Sequence, residues 1–436
     1  MEEDGFIIIP KIDQLAPCQT ACQEDVQGHL SDIGTVIDNL SEHLWPLNKF
    51  IHDNPELAFK EYKAHAALVK FMLSQKGWNV TPSAYGMETA WKAEYDSGRK
   101  GPVVSFNVEM DALPDIGHAC GHNLIAIASL AAGLATAILI QRYNLAGKVL
   151  IFGTPGEEGT GGGKIRLLKA GAYKDVHITL ISHPGIPNNS AMVRTTAFIH
   201  LDVEYFGKAA HAANSPWLGV NALDALVIAY NAVSVLRQQT MSGDVVGMRI
   251  TNGGAAANVI HAYAAGSFVL RATTSHRLKE LQEKVRACLR AGAEATGARL
   301  KVTTVEGYAD HVPNCVLAER YTRHWNSMPN VPDPPTPPLS ELTYVKASTD
   351  QGNLSYTMPS VNVSFAIPPG PHGGRNHTPD FEIASGTKEA FQRALRVAKA
   401  LSGAAVDVLE TPGLNEKIME QWSRDMAAIK EGSRIG

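Results

Sequence analysis

Between residues 102 and 184 the chain alternates short continuous apolar runs with longer segments of helical character. PVVSFNVEM, GKVLIFGTP and VHITLISHP read as buried strands, and residues 122–144 and GKIRLLKAGAY between them read as helices. That succession strongly favours a parallel sheet whose crossover helices cover both faces, so the expectation is a doubly wound, mostly parallel α/β domain. The first of these helices contains LIAIASLAAGLATAILI (124–140), which nearly reaches membrane-spanning length. Its Ala- and Gly-rich composition and its flanking strands and turns favour a helix packed on the sheet.

The pattern changes after residue 194. AFIHLDVEYFG alternates as a strand, NALDALVIAYNAVSVLRQQT reads as a helix, VVGMRIT and GSFVLRATT as strands, 276–296 as a helix and RLKVTTVEG as a strand. This β-α-β-β-α-β order is ferredoxin-like. The α/β pattern then resumes with the strand SVNVSFAIP and a helix near 386–402, so the smaller unit is inserted into the larger one. The expected division is 1–194, the insert 195–306, and 307–436. Residues 30–80 read as helical up to Gly77, and PNVPDPPTPPLS (329–340) reads as a proline-rich spacer.

Composition narrows the partners. A chain of 436 residues with 44% apolar and 19% charged residues is an ordinary globular protein. A net charge of -4 without a run of five like charges argues against nucleic acid and for a small ligand. The acidic start MEEDGFIIIPKID has neither the positive region nor the apolar length of a secretion signal, and no membrane association is expected. Five cysteines, odd in number and unevenly spaced, fit a reducing compartment, and a cytoplasmic location is expected.

The chemistry gathers at the strand ends, where ligands of open α/β sheets bind. The strand VVSFNVEM runs into Asp111 and then GHACGHN (117–123); KVLIFGTPG runs into Glu157 and Glu158; HITLIS ends at His183; SVNVSFAIP leads through glycines to His377. GHACGHN lacks the second cysteine of a redox pair or haem motif, and no second knuckle completes a structural zinc site. A lone histidine at a helix start would merely make hydrogen bonds. Cys120, His122, Glu158, His183 and His377 together suit a pair of divalent ions bridged by a thiolate or a water, and such pairs imply hydrolysis. Glu157, beside a ligand carboxylate, is placed to serve as general base.

EMDALPDIGHACGHN, GTPGEEGTGGGK, SHPG, YFGKAAHAA, NALDAL, STDQGN and NHTPDF together resemble the aminoacylase and carboxypeptidase G-type metallopeptidases, the M20 peptidases, over about residues 30–410. Within that family the chain looks most like the β-alanyl-lysine dipeptidase branch. The resemblance implies that Cys120, His122, Glu158, His183 and His377 hold two ions, Zn2+ or Mn2+, with Cys120 in the bridging place. It implies Glu157 as base and Asp111 as the acid that orients a ligand histidine. His211 and Asn258 would reach the neighbouring subunit's site to hold the substrate's carbonyl oxygen or terminus, and Arg271 would bind a substrate carboxylate. Read without the resemblance, these three are a surface histidine, a turn residue and a snorkelling strand residue. An additional His372 and the prolines of AIPPGPHGGRNHT depart from the branch's pattern.

The expected protein is a homodimeric, metal-dependent amidohydrolase acting on a dipeptide or N-acyl amino acid. The rival readings are a specialised-metabolism enzyme that trims or forms an amide with the same site, and a non-catalytic dimeric scaffold that keeps the fold.

Overall fold

The computed structural model describes residues 27–432 apart from 160, 187–188 and 330–337. Cys18, Cys22, the amino-terminal apolar run and most of the proline-rich segment lie outside the described residues. The chain begins with α1 (Gln27–Asp53) and α2 (Tyr62–Leu73), followed by β1 (Asn79–Thr81) and β2 (Trp91–Asp96). Next come β3 (Val103–Glu109), α3 (His122–Arg142), β4 (Lys148–Thr154), α4 (Gly163–Lys169), β5 (Ile178–Gly185) and the short β6 (Val193–Thr195).

The second unit consists of β7 (Ala197–Phe206), β8 (Ala210–His211), α5 (Ala222–Leu236), β9 (Val245–Asn252), β10 (Val259–Ile260), β11 (Tyr263–Ala272), α6 (Ser275–Thr296) and β12 (Arg299–Tyr308). Its main sheet has the order β12-β7-β11-β9 with every pair antiparallel, the ferredoxin-like arrangement. Along β7, Ala197, Leu201, Val203 and Tyr205 turn inward against α5 and α6, which is the alternation visible in the sequence. β8 and β10 form a separate two-stranded ribbon.

The chain returns through α7 (Cys315–Asn326), β13 (Thr343–Val345), α8 (Gln351–Ser355), β14 (Ser360–Ala366), α9 (Pro379–Ser385), α10 (Lys388–Glu410) and α11 (Leu414–Gly432). The first sheet is six-stranded, β1-β2-β4-β3-β5-β14, parallel from β4 to β14 with β1 and β2 antiparallel at one edge. α1, α3, α7 and α10 share one core, and α4 and α8 pack over the opposite face on Leu150 and Phe152. α3 passes by length and composition for a membrane span, yet 94% of that window is buried inside the fold. Gly133 lets it approach the sheet, because a Cβ there would stand 2.6 Å from Ile151 Cδ1.

Several elements differ from the sequence expectation. The helical stretch 30–80 is two helices, because Asn54 and Pro55 interrupt it, and its end forms the strand β1. The edge strands β1 and β2 were not anticipated. The helix near 386–402 is α10, which runs on to Glu410, and the short α9 before it was not anticipated; each is started by its own threonine cap, Thr378 accepting from Phe381 N–H and Thr387 from Ala390 N–H. α5 ends at Leu236 and α4 at Lys169, the latter before Gly171 at φ +81.

Candidate active site

The sheet order places the carboxyl ends of β4, β3, β5 and β14 side by side. The turn after β3 ends at Gly121, whose φ of +82 and whose missing Cβ, 2.5 Å from Pro184 Cγ, leave room for no other residue. That turn carries Cys120 on one side and starts α3 with His122 on the other. Pro155 and Gly156, the latter at φ +66, turn the chain from β4 into Glu157 and Glu158. His183 lies within β5. His377 arrives on the loop after β14, where its own N–H donates to Ala119 C=O at 2.8 Å.

Two clusters result, and they share Cys120. Cys120, His122 and His183 form one, and Cys120, Glu158 and His377 the other, with candidate ligand atoms within 4.8 Å of one another in each. His122, Glu157 and Glu158 form a third overlapping set. Cys120 Sγ is 3.3 Å from His183 Nε2, and Glu158 Oε1 is 3.1 Å from His377 Nε2 without hydrogen-bond alignment. Asp111, fully buried, holds His122 Nδ1 at 3.1 Å with one oxygen and accepts Glu158 N–H at 2.8 Å with the other. His122 Nε2 therefore faces the cluster, and it and Glu158 Oε1 are buried without hydrogen-bond partners. Such orphaned atoms fit a cation site, since unpaired buried polar groups are otherwise costly.

The electrostatics agree with that fit. Burial pushes the Cys120 thiol well up, with Glu158 adding to it. Burial likewise pushes the Glu157 carboxyl well above its ordinary range, reinforced by Glu109 and Glu158. Burial opposes charge on His122, but Cys120 and Asp111 prevail and raise it. Burial lowers His183, whereas the neighbouring Glu158 raises His377. Three acids and a thiol in one buried pocket call for positive charge, which a divalent cation held by these residues would supply, favouring the thiolate.

Three residues of the site were missed at the sequence level. Lys164 is completely buried, with Nζ 2.5 Å from both Glu109 Oε1 and Asp350 Oδ1. Glu109, Glu157 and Asp350 bring carboxylate oxygens within 4.8 Å of one another, and the second Glu109 oxygen stands 3.5 Å from His122 Nε2. The available signals were a glutamate inside the apolar run VVSFNVEM, the lysine of GGGK and the aspartate of STDQGN.

The inserted-domain candidates are not in these clusters. His211 lies exposed on β8, its Nδ1 accepting from Ala213 and Asn214 N–H, and its strand partner Val259 follows Asn258. Asn258 is exposed on the same ribbon and its carbonyl accepts from Ala212 N–H at 3.1 Å. Arg271 is half-buried on β11 and donates to Ser348 Oγ at 2.9 Å. His118 of GHACGHN is buried beside the His52 ring, outside the clusters, and His372 is exposed. A cleft of about 410 Å³ opens beside Glu158, lined by Leu57, Phe59, Lys60, Pro114 and Arg166.

Residues 195–297 match the M20 peptidase dimerisation domain. The Xaa-Arg dipeptidase of Mus musculus is 37% identical over 400 residues, covering 88% of this chain and 90% of that protein. The chain belongs to the M20 peptidases. It is an amidohydrolase of that family, with an inserted dimerisation domain. One p-aminobenzoyl-glutamate hydrolase polypeptide of Escherichia coli is 30% identical over 303 residues, 64% of this chain and 62% of that protein. Among solved structures, a dinuclear metal-binding M20 peptidase of Bacillus subtilis shares the fold with a TM-score of 0.60 at 18% identity, covering 86% of this M20 peptidase and 99% of that chain.

Proposed function

We propose that this chain hydrolyses the amide bond of a dipeptide or N-acyl amino acid, with two divalent ions held by the two ligand clusters that meet at Cys120. The observation that carries the reading is that sharing: one buried thiol belongs to both clusters, and each cluster adds two more ligand-type side chains. Cys120 and the histidines favour zinc, while the carboxylate keeps manganese open. When bound, the ions would polarise the amide carbonyl and acidify the attacking water.

Asp111 fixes the ring of His122 and the main chain of Glu158 with its two oxygens. Glu157, next in sequence to Glu158 but with Oε2 still 3.9 Å from His122 Nε2, takes the proton of the attacking water. It then delivers that proton to the amine nitrogen as the C–N bond breaks. Its raised pKa suits the second step, since a carboxyl that holds its proton is a competent acid. His211 and Asn258 of a second subunit hold the carbonyl oxygen or terminus of the substrate, and Arg271 holds its carboxylate. Support for a homodimer comes from the dimerisation-domain match and from exposed apolar residues on α5 and the edge strand β9, among them Val227, Tyr230, Val245 and Ile250. A reducing, cytoplasmic setting suits a centre built on a thiol, and none of Cys120, Cys288 and Cys315 forms a disulfide.

The similarity to Xaa-Arg dipeptidases makes dipeptides with a basic C-terminal residue the first substrates to test. The experiment is product analysis of a dipeptide and N-acyl amino acid panel with metal-loaded and chelated protein. Turnover should vanish on chelation and return with Zn2+ or Mn2+. Full turnover by demonstrably metal-free protein would overturn the reading.

A further inference from the structure

We infer that Tyr308, contributed by the inserted domain, is a positioning residue that clamps the peptide unit joining Glu157 to Glu158. Tyr308 is the last residue of β12, which runs two residues past the expected end of the insert at 306, at one of the two places where the chain passes between domains. Its hydroxyl donates to the carbonyl of Glu157 at 2.8 Å and lies 3.0 Å from that of Gly159. The other end of the same peptide, Glu158 N–H, donates to Asp111 Oδ2 at 2.8 Å. One peptide plane is thus held on its oxygen side by the inserted domain and on its nitrogen side by the catalytic domain. The two side chains that leave it are the proposed base and a proposed ligand, so a rotation of this plane would displace both carboxylates.

The surroundings make the clamp specific. Gly162, at φ +51, packs against the Tyr308 ring, where a Cβ would stand 2.9 Å from Cε1. Glu306, two residues earlier on β12, accepts Gly161 N–H at 3.3 Å, so the strand grips the glycine loop at a second point. Across the inserted sheet, Tyr308 lies directly opposite Phe198, and Phe198 directly opposite Arg271. The rings of Tyr308 and Phe198 meet edge to face at 4.9 Å, and the Arg271 guanidinium sits 5.1 Å from the Phe198 ring. This row of three contacts runs from the residue proposed to hold the substrate carboxylate to the peptide that carries the proposed base.

The inference rests on the reading of Glu157 as base, and the test separates the two. Tyr308→Phe keeps the ring and removes only the hydroxyl. It should bind its full metal complement and lower kcat about 10-fold with KM within about twofold, because a misplaced catalytic group is costly even when present. In a Glu157→Gln background the same substitution should cost much less, since the base it positions is already gone and only Glu158 is left to displace. A kcat for Tyr308→Phe within about twofold of wild type overturns the clamp. So does an equal loss in both backgrounds, or a drop in melting temperature with unchanged kcat per folded enzyme. Retention of wild-type activity by Glu157→Gln alone overturns the reading of the base instead.

Discussion

Cys120 Sγ stands 3.3 Å from His183 Nε2, although the two are 63 residues apart in sequence and arrive from a turn and a strand respectively. The same sulfur also belongs to the cluster of Glu158 and His377. The sharing makes metal content a graded readout. His377→Ala should lose on the order of one equivalent per subunit, because one cluster is opened, whereas Cys120→Ala should lose most of both. Elemental analysis of the purified variants checks this, and a full equivalent retained by Cys120→Ala would deny that the thiol is shared.

Glu157 and Glu158 are adjacent, and the proposed mechanism gives them different tasks. Glu157→Gln should keep its metal and lose about 10² to 10⁴ in kcat, the usual worth of a positioned general base. Glu158→Gln should lose metal as well as activity. Equal metal loss in both variants would contradict this division of labour.

His211 is exposed and lies outside the metal clusters, as a residue that serves a second subunit would. His211→Ala should bind metal normally and lose about 10² to 10³ in kcat, the typical effect of removing a preorganised oxyanion donor. Mixing it with Glu157→Gln under subunit exchange should restore about a quarter of wild-type activity, because half the dimers are mixed and each has one intact site. Exchange demonstrated by a mass or fluorescence label without any recovery would place His211's action within its own chain or nowhere.

Glu61 is fully buried and accepts Phe59 N–H, Gly156 N–H and the Thr89 hydroxyl, bracing the turn that leads to Glu157. Burial first, then Asp111, pushes its pKa up to about 7. An acid raised in the folded state stabilises the fold fully below its unfolded pKa near 4.5, and that contribution is lost as pH rises through about 7. Glu61→Gln, which keeps the acceptor oxygen, should therefore gain stability over wild type by about 1.4 kcal/mol per pH unit across that window. Denaturant midpoints at pH 5 and pH 8 test it, and a variant whose stability relative to wild type does not rise from pH 5 to pH 8 would contradict the sign.

The sequence by itself determined the parts of this protein that local chemistry dictates. Apolar runs of strand length around VVSFNVEM and KVLIFGTP had to be buried on both faces, and the alternation in β7 had to be buried on one, so both layers were legible. The ligand-type residues were legible too, because Asp111, Cys120, His122, Glu157, Glu158 and His183 each sit within or just past a strand that periodicity reveals. What the tertiary structure decided was who meets whom. Only the strand order brings Glu109, Lys164 and Asp350 together, and a lysine after three glycines reads as a solvated helix residue until its two carboxylates are in place. Tyr308 stood just past the strand RLKVTTVEG with no local sign of a role until the domain crossing set its hydroxyl against Glu157 C=O. His118 and His122, four residues apart in one motif, were separated only by packing, which turned one towards His52 and the other towards Asp111. Periodicity and turn chemistry act over a few residues, whereas the pairing of buried charges depends on contacts between segments far apart in the chain, which no local pattern encodes.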